Sequence, residues 1–172
     1  MRLMPVLLRR TLLTLHVGLS VSSMGAVACF LLLALHGFST RPGGLLTYGA
    51  MNLVATQLIL PLCLGAFVTG VAQSLGTAWG LTKHYWVLMK LVLTVVTIGV
   101  LIVQLPGIAA LAALGEEGNV SAAPDAARIS VLLHATGGLV VLAAILVLSV
   151  VKPAGQTPWS VRQRPEPPDR RD

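Results

Sequence analysis

Four stretches of this chain run too long without charge to be at home in water. They extend roughly from Thr11 to Phe38, Gly49 to Leu75, His84 to Leu105 and Ile129 to Val151, and across all four Lys90 is the only Asp, Glu, Lys or Arg. A helix crossing the hydrocarbon core of a bilayer needs about 20 apolar residues, and each stretch meets that length. The 172-residue chain is 55% apolar and 10% charged, against about 25% charged in an ordinary soluble domain. Membrane-spanning strands would instead alternate in polarity over segments of about ten residues, a pattern this sequence lacks. The expected fold class is therefore all-α, a four-helix transmembrane bundle. Residues 1–157 form one four-span membrane domain with spans at 11–38, 49–75, 84–105 and 129–151. The remaining 158–172, polar and proline-rich, read as a disordered cytoplasmic tail.

The charges left over map onto orientation. Arg2, Arg9 and Arg10 precede the first span, Lys83 sits between the second and third, and Lys152, Arg162, Arg164, Arg170 and Arg171 follow the fourth. Only Arg41 and Arg128 fall on the other side, so the positive-inside rule places both termini and the 77–83 turn in the cytoplasm. The expected location is a bacterial cytoplasmic (inner) membrane, multi-pass. A pI near 10.2 is then topogenic, and its partner is the lipid bilayer. Nucleic acid is not expected, because the basic tail QRPEPPDRRD offers neither a folded basic face nor stacking aromatics. Arg9-Arg10, an apolar run and Ala26-Val27-Ala28-Cys29 imitate a secretion signal, but the run continues through FLLLALHGF and reads as an uncleaved helix. Cys29 and Cys63 both fall inside spans and read as apolar filler. The third loop, 106–128, holds three of the six acids and suggests a separate short surface helix near Ile108 to Leu114.

Aromatic and polar residues concentrate around the third span. In WGLTKHYWVLMK, Trp79, Tyr85 and Trp86 suit an aromatic belt at headgroup depth, and Lys90 lies within snorkelling reach of that boundary. Lys83, Lys90, Thr94, Thr97 and Gln104 recur at helical steps and form one stripe. Such a stripe should face other helices, with Asn52, Thr56, Gln57, Thr69 and Gln73 of the second span as partners, or else mark a polar pathway or partner surface. Pro61 should kink the second span. Gly18, Ser22 and Ala26, and Gly137 with Gly138, suit close helix approach.

Four histidines are the remaining chemistry. His16 and His84 sort to the inner side, His36 and His134 to the outer. Paired imidazoles from different helices could ligate b-type haem or copper, and these four are the candidate ligands, with His16 and His134 the more deeply embedded. His16 and His36 stand about 30 Å apart on one helix and point to nearly opposite faces, which argues against two groups stacked along it, and a chain without a cofactor is the plainer expectation. No Asp or Glu lies in any span, and no phosphate loop, CxxC or HExxH appears, so no catalytic residue is expected. The reading is a structural, assembly or binding component. A histidine-based redox or metal-handling module and a small transporter or channel subunit built on the Lys90 stripe are the alternatives. A homo-oligomer or a membrane-protein partner suits four helices that enclose little volume.

Three segments, LTLHVGLSVSSMGAVA, VTGVAQSLGTAWGLTKHYWVLMKLVLT and HATGGLVVLAAILVLSVVKPAGQTPWS, resemble a family of small, actinobacterial-type four-span membrane proteins without an assigned function. The resemblance covers under half the chain. It implies the four-helix fold and no activity, and it singles out His16, Trp79, Gly80, His84, Tyr85, Trp86, Lys90 and His134. A fainter likeness in fold to the membrane domains of copper-resistance proteins would bring the histidines forward.

Overall fold

The computed structural model describes residues 4–39, 45–76, 84–118 and 123–151. They form α1 (Val6–Ser39), α2 (Leu45–Leu53), a π-helical segment (Val54–Ile59), α3 (Leu60–Leu75), α4 (Tyr85–Glu116) and α5 (Asp125–Val151). Because α2, the π segment and α3 run on without a break, there are four spans. Each is long and apolar enough to cross a membrane. Trp79, Gly80, Lys83 and the 158–172 tail lie outside the described residues.

The second span shows what Pro61 does. A proline has no N–H to donate, and its ring crowds the carbonyl four residues back. Immediately before it the chain widens, and the Leu60 N–H donates to the Ala55 carbonyl, an i to i−5 bond. The expected kink is accommodated as a π segment, one of the recognised ways a helix absorbs such a residue. Pro106 is handled differently. It sits within α4, which continues to Glu116, so Ile108 to Leu114 is the last part of the third span and not a separate surface helix. The apolar positions there explain why: Ile108, Leu111, Ala112 and Gly115 recur at steps of three and four and are all buried, which anchors the helix beyond its proline.

The spans alternate in direction, as the pairings of Met4 with Gly76 and of Lys90 with Ser149 show, so the start of α1 and the end of α5 lie on one side of the bundle. There, the Met4 N–H donates to the Gly76 carbonyl at 3.2 Å. Around the bundle, α1 packs on α3 and α5, and α4 packs on α5, α2 and α3. The core runs along its axis through Ala26, Val27, Phe30 and Ala34 of α1, Met51, Ala55, Ile59 and Cys63 of the second span, and Ile98, Val131 and Ala135. Many large apolar side chains point outward, among them Leu32, Val103, Leu133, Val140 and Val150, as a surface facing acyl chains requires. Of the small residues Gly18, Ser22 and Ala26, only Ala26 is buried in the core. Gly18 and Ser22 are on the exposed side, and a Cβ added at Gly18 would meet nothing within 4 Å. The close approach occurs one residue along the helix, where Leu19 lies against Gly65.

Candidate functional site

Polar side chains gather at three levels of the bundle. At the first, His16 of α1 reaches α3, with Nδ1 2.9 Å from the Ala66 carbonyl oxygen and 3.3 Å from Thr69 Oγ1. A carbonyl oxygen only accepts, so Nδ1 carries the proton and donates it, leaving the lone pair on Nε2. The ring fits against Gly70, where an added Cβ would come within 2.8 Å of Cε1. Nearby, Lys90 Nζ donates to Ser149 Oγ at 3.1 Å and lies 4.7 Å from the centre of the Trp86 ring. Trp86 is in turn 6.2 Å from the His84 ring, centre to centre. His84 directly precedes α4 in extended conformation, and Tyr85, the first residue of α4, is exposed.

The second level holds Gln104, Ser130 and His134. His134 Nδ1 is 2.7 Å from the Ser130 carbonyl oxygen, one turn earlier on α5, and also touches the side-chain amide of Gln104 on α4. Gln104 bridges further to Ser130 Oγ at 3.1 Å. The Ser130 carbonyl again requires the proton on Nδ1. Amide nitrogen and oxygen are interchangeable in shape, and only the orientation with Oε1 toward the imidazole satisfies every contact. Nδ1–H then donates to the Ser130 carbonyl and to Gln104 Oε1, and the serine hydroxyl donates to the same Oε1. His134 Nε2, with its lone pair, makes no hydrogen bond to a described residue.

Beside this cluster lies a cavity of about 270 Å³. Its walls are Val27 and Phe30 of α1, Ile59 and Cys63 of the second span, and faces of α4 and α5 that include Val100, Gln104, His134 and Gly138. The lining is almost wholly apolar. A Cβ at Gly137 or Gly138 would meet nothing within 4 Å, so these glycines do not bring helices together as expected. They leave room. Exposed Val96, Val100, Leu133 and His134 also line the cavity, which places its mouth on the α4 and α5 side of the bundle.

The third level, toward Glu116, was not foreseen as a site. Arg128, read from the sequence as a loop charge, is inside α5 and only 4% exposed. Its guanidinium carbon lies 5.9 Å from the centre of the Tyr48 ring, and the Tyr48 hydroxyl donates to the Gly37 carbonyl at 3.1 Å. One ring thus connects α1, α2 and α5. A cation over an aromatic face is electrostatically favourable, more so when water is excluded.

Among the described residues, the hydrogen bonds that Lys90 and Gln104 of the stripe make to another helix run to α5. Lys90 pairs with Ser149, and Gln104 with Ser130 and His134. Thr94 and Thr97 donate to Lys90 O and Leu93 O of their own helix, and Thr56 and Thr69 do the same to Asn52 O and Gly65 O. A hydroxyl with a carbonyl one turn away on its own helix needs no neighbour. His36 is exposed in the last turn of α1. His16 and His134 are not one site: His134 shares the cavity with Val27 and Phe30, three to four turns beyond His16 on α1, roughly 16–21 Å at 1.5 Å per residue. Among the described residues, no three of His, Cys, Asp or Glu gather as a metal cluster would. Among known proteins, no family model, curated sequence or solved structure matches this chain.

Proposed function

We propose that this is a multi-pass protein of the bacterial inner membrane, with both termini cytoplasmic, whose role is to bind a small molecule dissolved in the bilayer. The observation that carries the reading is the 270 Å³ cavity, apolar along its walls and flanked by the Gln104, Ser130 and His134 cluster. Concave, mostly apolar sites with a few oriented polar groups are what small ligands occupy. A dry cavity of about 150 Å³ already takes up benzene, so this one has room for a larger ring system. Its mouth among exposed side chains of α4 and α5 suits entry from the lipid.

Filling the cavity tests the proposal. Gly138→Leu should be tolerated, because the added atoms enter empty space. Naphthalene at saturating concentration should raise the melting temperature of the purified wild-type protein, since a ligand bound only to the native state stabilises it. It should leave Gly138→Leu unmoved. Naphthalene partitions into the detergent equally for both proteins, so their difference reports the cavity. Equal shifts, or none, would sink the proposal.

A second reading keeps the histidines as metal or haem ligands. It is favoured by one detail: at both His16 and His134 a backbone carbonyl holds Nδ1–H and frees Nε2, the arrangement that orients ligating imidazoles. Absorption spectra of oxidised and dithionite-reduced protein, with metal content on the same sample, separate the two readings. Stoichiometric haem or copper lost on His16→Ala or His134→Ala would favour the second.

A further inference from the structure

The cavity has an orientation as well as a volume. Among the described residues that line it, the one strongly basic acceptor left uncommitted is His134 Nε2, because Nδ1–H is committed to Ser130 O and Gln104 and the hydroxyl of Thr97, also in the wall, is committed to Leu93 O. An acceptor in apolar surroundings is costly to leave unmatched and favours a ligand that brings a donor. On the rest of the wall, Val27, Phe30, Ile59, Val100 and Val141 offer only apolar surface.

We infer that the ligand is an apolar ring carrying a hydroxyl group, a phenol or hydroquinone dissolved in the membrane, whose O–H donates to His134 Nε2. This rests on the binding role proposed above and names the ligand class. The ring lies against Phe30 and the bare backbone of Gly137 and Gly138, and any alkyl tail leaves between Val96 and Leu133 into the acyl chains. Gln104 is a positioning residue. By fixing Nδ1–H it keeps the lone pair on Nε2, where a donor can use it.

A metal ion would use the same lone pair, but among the described residues Cys63 is the only other His, Cys, Asp or Glu in the wall. A soft-metal site would therefore be short of ligands, whereas a hydroxyl needs one acceptor.

The test compares 2-naphthol with 2-methoxynaphthalene, which has the same ring and no donor. Affinities are measured by titration of the purified, detergent-solubilised protein and referred to the Gly138→Leu protein to remove partitioning. Wild type should prefer the naphthol by about 3- to 10-fold, the worth of one hydrogen bond. His134→Phe should abolish that preference while still binding the methyl ether, which shows that the cavity survives. Gln104→Leu should weaken the preference, and Gln104→Glu should remove it at neutral pH, because a carboxylate against Nδ1–H favours the imidazolium, whose Nε2 carries a proton. Equal affinity of wild type for both probes would overturn the hydroxyl inference and leave the cavity reading standing. Binding of neither would overturn both.

Discussion

Tyr48→Ala is expected to cost about 3–5 kcal/mol of stability, the range for deleting a large buried aromatic. The ring is 3% exposed, lies against Gly37 so closely that a Cβ there would sit 3.3 Å from its Cζ, and carries Arg128 over its face. Truncation therefore opens a hole between α1 and α2 and strips a buried cation of its aromatic neighbour at the same time. Tyr48→Phe isolates the smaller share: it keeps ring and cation contact and loses only the bond to the Gly37 carbonyl, about 1 kcal/mol. Unfolding in mixed micelles by increasing fractions of denaturing detergent, followed by circular dichroism, gives both values. A Tyr48→Ala protein within 1 kcal/mol of wild type would mean that the Gly37, Tyr48 and Arg128 ends of α1, α2 and α5 are held by something else.

Gly70→Val should destabilise by about 1–3 kcal/mol through the His16 ring. The added Cβ occupies the position 2.8 Å from Cε1, so the ring must swing off the Ala66 carbonyl. Overpacking of about 1–3 kcal/mol and a lost hydrogen bond of about 1 kcal/mol outweigh the 0.5–1 kcal/mol or so gained by removing a helical glycine. The mechanism predicts non-additivity. In a His16→Ala background the cavity left by the ring receives the valine, and Gly70→Val becomes neutral or stabilising. A double-mutant cycle with a coupling near zero would show that the two residues act independently.

The sequence displays some of this clearly and hides the rest for physical reasons. The four spans are legible because hydrocarbon tolerates so few charges that length and apolarity locate them. The level of Gln104 and His134 is legible by residue type, since Gln104 belongs to a helical stripe and His134 has Ser130 one turn away. Which helix they meet is not, because helical spacing gives a face without its neighbour. Met51, Ala55, Ile59 and Cys63 recur every four residues, a spacing that drifts by about 40° per step on an ideal helix. Only the wider π segment keeps them all turned inward. Arg128 reads as a loop charge because hydropathy treats it alone, without the ring of Tyr48 eighty positions earlier in the chain. The cavity is the hardest to read, being made of what Gly137 and Gly138 do not supply, and glycine in a span reads equally as contact or as vacancy.

The length of α4 has a consequence for where water begins. Tyr85–Glu116 is 32 residues, about 48 Å of helix at 1.5 Å per residue, and the hydrocarbon layer is about 30 Å thick. A tilt of about 20°, ordinary for such helices, absorbs only about 3 Å of the difference. With Trp86 and Lys90 marking one boundary, the excess rises as an outcrop at the Glu116 end, where α2 and the Arg128 end of α5 stand beside it. The buried guanidinium and tyrosine then stand level with the headgroup zone, where the bundle passes from acyl chains to water.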